Sequence, residues 1–181
     1  MRSFLEWAYG ADVSVEEQYL SDTSKPGGRG KKIGYILGTK KRFAHNVFIP
    51  GHYDTPTGGC DTIHDVEEVY GLVKSFVEQG LHVVYEGLFV MNMTRGPQLL
   101  DALPTTKMCV LQLTTPLATC FASIDARRAE KGKGQLLTTK NTEDNYRRAT
   151  NYCAKMRDAG AKVVKVSRDE ALPKLLELLA A

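Results

Sequence analysis

The fold is decided by residues 47–63, V-F-I-P-G-H-Y-D-T-P-T-G-G-C-D-T-I. The apolar start of this stretch predicts a strand, and the glycines, prolines and aspartates that follow predict a loop. A second apolar run, Val83–Tyr85, predicts another strand that ends on a carboxylate. Ligands bind beyond the carboxyl ends of strands in open α/β sheets, so we expect both strand ends to open on one crevice. The polar side chains placed there are His52, Tyr53, Asp54, Asp61 and Glu86.

The length and composition are those of an ordinary single domain. The chain has 181 residues, of which 43% are hydrophobic and 25% charged, and its net charge of +3 is too small to indicate a nucleic-acid partner by itself. The four cysteines lack zinc-binding spacing, so we expect them to be reduced in a cytoplasmic protein. No apolar run approaches the roughly 18 residues of a membrane span, and we expect no membrane partner.

Outside residues 47–63, the apolar periodicity predicts alternating strands and helices. Residues 1–20 predict a helix with a break at Gly10, and residues 21–32 predict a polar, glycine-rich basic loop. The elements predicted after that loop are strands 33–37 and 43–49, a helix from Asp61 to Gly80, strand 82–88, helix 97–102, strand 108–113, a helix from 114 into Arg127 and Arg128, helix 143–159, strand 162–166 and helix 170–179. Alternation with short connections predicts a parallel, doubly wound sheet between two helical layers.

The two predicted strand ends carry acids whose chemistry can be read in two ways. Glycines let a backbone approach a ligand closely, and an acid at a strand end, such as Asp61, is a candidate general base. The alternative is a tight turn in which Asp61 caps the following helix. Glu86 is suited to holding a Mg²⁺-bound water or accepting a proton, and its alternative is a solvated acid.

A basic cluster lies at the end of the helix that runs into Arg127. Guanidinium groups there are suited to clamping phosphoryl oxygens that develop charge. A run of charges is more often only a solvated helix face, and that alternative stays open. The cluster consists of Arg127, Arg128, Lys131 and Lys133.

Five motifs, in this order, resemble the P-loop kinases of tailed bacteriophages, in particular those that phosphorylate 5-hydroxymethyluracil in phage DNA. The motifs are G-H-Y-x-x-x-x-G-G-x-D-T-I at 51–63, V-V-Y-E-G at 83–87, T-P-L-x-x-C at 115–120, A-R-R-A-x-x-G at 126–132 and K-N-T at 140–142. The resemblance implies one nucleotide-kinase-like domain over residues 1–181, with a three-layer α/β/α parallel sheet. It also implies an arginine-rich lid at about 127–142 and a small strand pair inserted near the N-terminus.

The resemblance further implies an enzyme that uses ATP and Mg²⁺, acts on DNA or a nucleotide, and works in the host cytoplasm. The implied catalytic residues are Asp61, Arg127 and Arg128, and the implied metal-binding residue is Glu86. ATP is implied to contact Arg127, Arg128 and Lys131. The substrate-binding candidates are His52, Tyr53, Gly58, Gly59 and Arg95.

One departure from the family pattern is large, because the phosphate-binding motif G-x-x-x-x-G-K-[ST] is missing from the 181 residues. The glycine-rich stretch Pro26–Lys32 has the wrong spacing and precedes a strand. We therefore expect that Met1 is an internal methionine of a longer kinase whose first strand and P-loop lie upstream. Two other functions stay open: a deoxynucleoside monophosphate kinase, and a nucleic-acid- or nucleotide-binding module without catalysis.

Overall fold

A computed structural model describes residues 1–11, 13–22, 28–39, 42–54, 59–135 and 138–181. The chain forms two compact units, the first made of residues 1–106 and 175–181 and the second of residues 107–174. Each unit is described by itself. The helices and strands of the described residues are α1 (Arg2–Gly10), β1 (Val15–Asp22), β2 (Gly28–Leu37), β3 (Val47–Pro50), α2 (Val66–Glu78), β4 (His82–Val83), α3 (Arg95–Ala102), β5 (Cys109–Leu113), α4 (Leu117–Glu130), α5 (Lys140–Asp158), β6 (Lys162–Val166) and α6 (Arg168–Ala180).

The first unit contains a four-stranded mixed sheet in the order β1-β2-β3-β4. β1 and β3 both run antiparallel to β2, and only β3 and β4 are parallel. β5 and β6 form a separate two-stranded parallel sheet in the second unit. The α/β class is therefore confirmed, whereas the prediction of one parallel sheet is wrong for the described residues. The three-layer arrangement of a P-loop kinase stays a prediction.

The N-terminal segment differs most from its prediction. Helix α1 ends at Gly10, and strand β1 is formed by residues 15–20, predicted as part of that helix, and residues 21–22, predicted as loop. Residues 28–32, predicted as loop, lie in β2 and pair with β1. The physical reason is long-range pairing: a hairpin supplies backbone partners that outweigh weak local helix preference. Residues 23–27 of the predicted loop lie outside the described residues.

The core of the first unit is built around β3. Val47, Phe48 and Ile49 are all fully buried, and the ring of Phe48 stacks on Phe76 of α2 with centroids 3.6 Å apart. Fully burying a side chain of this size contributes about 1.5–3 kcal/mol. β3 is thus a fixed support for the loop that follows it.

The start of α2 corrects another prediction. The helix begins at Val66, and the carboxylate of Asp65 caps it by accepting a hydrogen bond of 2.9 Å from the backbone N–H of Glu67. Asp61 instead lies in a short 3₁₀ helix, Cys60–Thr62. Asp61 is therefore not the helix cap, and its carboxylate is left for other contacts.

The second unit follows its predictions more closely. β6 has the predicted bounds, β5 begins one residue later than predicted, and α5 packs through Tyr152, Cys153 and Met156. α4 has no buried residue. Within the described ranges, no helix is long and apolar enough to span a membrane.

Candidate active site

The loop after β3 is anchored at both ends by backbone contacts. Gly51 adopts φ of +84°, and a Cβ atom at this position would lie 2.1 Å from the carbonyl oxygen of Gly59. The Gly59 N–H donates to the His52 carbonyl at 2.9 Å, and the His52 N–H donates to Thr62 Oγ1 at 3.1 Å. These contacts hold the loop ends together. Residues 55–58, including the predicted Gly58, lie outside the described residues.

Tyr53 and Glu86 meet at this loop. A Cβ built on Gly59 would lie 3.0 Å from the Tyr53 hydroxyl and 3.5 Å from Glu86 Cγ. Burial raises the pKa of the Tyr53 phenol well above its ordinary value, and the charge of Glu86 raises it further. Tyr53 therefore stays protonated, and its O–H is a donor beside the Glu86 carboxylate. Gly59, with φ of +80°, leaves the space that this approach requires.

Asp61 contacts residues 87 and 89, in the turn that follows Glu86. Its Oδ1 accepts a hydrogen bond of 3.3 Å from the Phe89 N–H and would lie 2.9 Å from a Cβ on Gly87. The Cys60 N–H donates to the Glu86 carbonyl at 3.4 Å. The structure thus brings Asp61 and Glu86 to one turn, residues 86–89, beside the loop after β3.

The Cys60 thiol is buried between these acids. Burial raises the pKa of the Cys60 thiol to about 12. A backbone hydrogen bond at Glu86 lowers this pKa, whereas the charges of Asp61 and Glu86 raise it. A thiol held in its neutral form is a poor nucleophile. Cys60 therefore packs the site and does not supply a reactive sulfur.

The strand leading to Glu86 is shorter than predicted, since β4 contains only His82 and Val83. The Val84 N–H still donates to the Phe48 carbonyl at 3.0 Å, which continues the alignment with β3. The Glu86 side chain is 49% exposed, and its Oε2 lies 3.3 Å from the amino group of Met1. Glu86 is therefore accessible to a ligand.

A second polar cluster flanks the loop. Tyr35 on β2 donates through its hydroxyl to Asp54 Oδ1 at 3.3 Å and accepts from the Tyr53 N–H at 3.3 Å. The ammonium group of Lys32 lies 3.3 Å from Asp54 Oδ2. Burial lowers the pKa of Lys32, but hydrogen bonds to carboxylates and to Tyr35 outweigh it and raise the pKa above its ordinary value. His52 Nδ1 is 3.8 Å from Asp54 Oδ2 and makes no hydrogen bond to the described residues.

The sequence patterns did not identify Lys32 or Tyr35 as site residues. The patterns predict a basic loop at Lys32, either a surface connection or a phosphate or nucleic-acid contact, and an ordinary strand at Tyr35. The sequence signal that could have identified Tyr35 is the alternation along β2, which places positions 33, 35 and 37 on the buried side of the strand. A buried tyrosine normally needs a partner for its hydroxyl, and that requirement points to a polar group beyond the strand end.

Arg95 is engaged in a local ion pair. Its Nε lies 2.6 Å from Glu67 Oε1, and its Nη1 donates to Gln98 Oε1 at 2.8 Å. Contact between Arg95 and a substrate would require the guanidinium to leave Glu67. The predicted substrate role of Arg95 stays a prediction.

The acids at the 86–89 turn are few for a metal centre. Within the described ranges, no group of three or more His, Cys, Asp or Glu side chains could hold a metal ion. Kinase Mg²⁺ is commonly held by one or two carboxylates together with substrate phosphates. Glu86 fits this sparser ligand set, in which phosphate oxygens and water would complete the shell.

The predicted lid residues lie in the second unit, at the end of α4. Arg128 donates through Nε to the Gly134 carbonyl at 2.7 Å and fixes the segment after the helix, whereas Arg127 donates to the Ser123 carbonyl at 3.3 Å. Lys131 is exposed directly after the helix. Residues 107–174 contain fourteen Lys and Arg against seven Asp and Glu, so this unit carries a net charge of +7.

The geometry defines an α/β protein with carboxylates gathered beyond two parallel strand ends. No protein-family profile matches the chain. No solved structure matches it either. The chain is 37% identical over 134 residues to the 5-hmdU DNA kinase of Pseudomonas phage PaMx11, a match that covers 72% of this chain and 69% of that protein. The chain belongs to the family of this 5-hmdU DNA kinase.

Proposed function

We propose that this protein transfers the γ-phosphoryl group of ATP to the hydroxymethyl oxygen of 5-hydroxymethyluracil in DNA. The observation that carries the proposal is the 37% identity to a protein named for this reaction. The chemistry of the site supports it, because the turn at residues 86–89 brings together two accessible carboxylates, with the protonated phenol of Tyr53 beside one of them. A hydroxyl acceptor needs a nearby base, and a phosphate donor needs charge neutralisation.

The reaction exchanges one P–O bond for another. The hydroxymethyl oxygen forms a bond to the γ-phosphorus, and the bond to the β,γ-bridging oxygen breaks, so ADP leaves with that electron pair. The proton of the hydroxyl goes to the carboxylate of Asp61, which acts as the base. The Phe89 N–H on Asp61 Oδ1 orients this carboxylate while leaving Oδ2 for the proton.

The role proposed for Glu86 is to bind Mg²⁺. Glu86 would hold Mg²⁺ directly or through water, and the ion when bound supplies positive charge to the β- and γ-phosphate oxygens. The Tyr53 hydroxyl beside Glu86 orients the carboxylate, since Tyr53 stays protonated. His52, Tyr53 and Gly59 lie together on the side proposed for the acceptor.

Cationic side chains of the second unit are proposed to bind phosphate oxygens. Arg127 and Arg128 would stabilise the charge that develops during transfer, and Lys131 would contact ATP. The net charge of +7 on this unit, against −4 for the first unit with ten Lys and Arg and fourteen Asp and Glu, supports the proposal that the second unit binds phosphate groups.

The test is ATP-dependent labelling of an oligonucleotide that contains one 5-hydroxymethyluracil, with a thymine oligonucleotide as the substrate control. We expect label only in the first, and we expect Asp61→Asn and Glu86→Gln each to lower the rate by about 100-fold or more, the range for loss of a general base or a charge-stabilising group. Asp65→Asn is the matched control, since Asp65 caps α2 away from the proposed chemistry. Rates within a few-fold of wild type for both site variants would contradict the assignment.

The other functions predict different outcomes in the same assay. A monophosphate kinase would phosphorylate the free nucleotide of 5-hydroxymethyluracil faster than the oligonucleotide. A binding module would hold DNA in a salt-sensitive way without any label from ATP.

A further inference from the structure

The first unit contains a cavity of about 280 Å³ beside the candidate active site. It lies against α1 on one side and against β2 and the loop after β3 on the other. Its lining combines three tyrosine rings, one leucine and two carboxylates: Leu5, Glu6, Tyr9, Tyr35, Tyr53 and Asp54. Binding sites for small organic groups have this composition, an apolar or aromatic wall with a few polar groups that fix orientation.

The cavity and the acidic turn share one side chain. The ring of Tyr53 lines the cavity, and its hydroxyl lies beside Glu86. The rings of Tyr53 and Tyr35 are tilted at 41° with centroids 6.4 Å apart, so they form a bent aromatic wall. A planar group against this wall would therefore lie against a side chain whose hydroxyl is beside Glu86.

We propose, on the basis of the proposed function, that this cavity receives the target pyrimidine after it has been unstacked from the DNA strand. Aromatic rings stack on any nucleobase. The carboxylates of Glu6 and Asp54 only accept hydrogen bonds, which suits the imide N–H of a uracil ring. Tyr9 is 65% exposed, so a base stacked on it would cover ring surface that now faces solvent.

The size of the cavity explains why the base leaves its stack. In duplex DNA a substituent at C5 of a pyrimidine projects into the major groove. The Tyr53 hydroxyl, however, is inaccessible to solvent, and the neighbouring cavity holds about 280 Å³. A volume of that size accepts one base and excludes a duplex, so a base enters this cavity only as part of an extruded nucleotide.

The test measures unstacking separately from phosphoryl transfer. An oligonucleotide carries 2-aminopurine next to a single 5-hydroxymethyluracil. The protein is added without ATP until the fluorescence anisotropy of the oligonucleotide shows that all of it is bound. The intensity of 2-aminopurine fluorescence is then measured. We expect a rise with wild type and a loss of most of that rise with Tyr9→Ala. We also expect Tyr9→Ala to raise the KM for this DNA by about tenfold, the scale of one lost base–aromatic stack, with kcat nearly unchanged.

Two control variants distinguish the loss of base stacking from a general loss of structure. Tyr9→Phe keeps the ring and should match wild type in both measurements. Tyr146→Ala removes another exposed tyrosine, which lies in the second unit and is 41% exposed, and should also match wild type. Because Tyr9 is mostly exposed, Tyr9→Ala should keep the thermal unfolding midpoint of wild type.

The outcomes distinguish this inference from the proposed function. An absent fluorescence rise at saturation overturns the cavity assignment whether or not phosphate is transferred, and so does a Tyr9→Ala variant equal to wild type. A Tyr9-dependent rise with no transfer from ATP supports the cavity as a base pocket and contradicts the proposed reaction.

Discussion

Replacing Gly51 by alanine tests how the candidate active site is held in place. Gly51 has φ of +84°, and an added Cβ would lie 2.1 Å from the Gly59 carbonyl oxygen and 2.4 Å from its carbonyl carbon. Both are backbone atoms, so no side-chain rotation relieves the overlap. The loop ends must move apart by at least about 1.3 Å to bring the Gly59 oxygen to an ordinary contact distance.

The expected cost follows from two contributions. An L-residue in the left-handed region costs about 1–2 kcal/mol. Separation of the loop ends weakens the Gly59-to-His52 hydrogen bond of 2.9 Å and the His52-to-Thr62 hydrogen bond of 3.1 Å, each contributing about 0.5–1.5 kcal/mol. The free energy of unfolding should therefore fall by about 2–5 kcal/mol, as measured by urea denaturation.

Gly80→Ala is the matched control. Gly80 has φ of +80°, nearly the same as Gly51, but nothing lies within 4 Å of its added Cβ. This variant should lose only the conformational contribution of about 1–2 kcal/mol and keep the phosphotransfer rate. Equal losses for the two variants, or full activity in Gly51→Ala, would refute the close approach of the loop ends.

Three further predictions concern the support of the site. Phe48→Ala removes a fully buried ring and should lower the free energy of unfolding by about 3–5 kcal/mol in urea titrations, whereas Leu88→Ala at an exposed position should change it by less than about 0.5 kcal/mol. Tyr35→Phe should cost about 0.5–1.5 kcal/mol in the same titrations, because it removes hydrogen bonds that hold the loop after β3. Burial and the neighbouring His45 lower the pKa of His82 in the folded state, so the unfolded chain binds more protons as the pH falls through 6.5. The urea midpoint should therefore drop from pH 7 to pH 5, and His82→Asn should reduce that drop.

The parts of the fold predicted correctly are those with strong local signals. β6 has its predicted bounds because a valine-rich run follows the helix-ending Gly160 and lies between two helices. The loop after β3 was found because glycines, prolines and aspartates interrupt an apolar run. The proximity of Glu86 to that loop followed from the parallel order of two neighbouring strands.

The parts predicted wrongly depend on long-range pairing. Residues 15–22 contain glutamates and a leucine that suit a helix, yet they form β1 because β2 pairs with them along their length. Glycines in the basic segment 28–32 suggested a loop because glycine has wide backbone freedom. The same freedom permits the irregular pairing of β2 with β1. The sequence suggested Asp61 and not Asp65 as the helix cap, because both acids precede the same apolar periodicity.

The most direct test of the account is the mass of a DNA oligonucleotide with one 5-hydroxymethyluracil after incubation with the protein, ATP and Mg²⁺. The proposed function predicts a gain of one phosphoryl group, located on the modified base after nuclease digestion, with no gain on the thymine oligonucleotide and a strongly reduced gain for Asp61→Asn. An unchanged mass with protein that binds the DNA, or a phosphoryl group on the free nucleotide alone, would contradict the account.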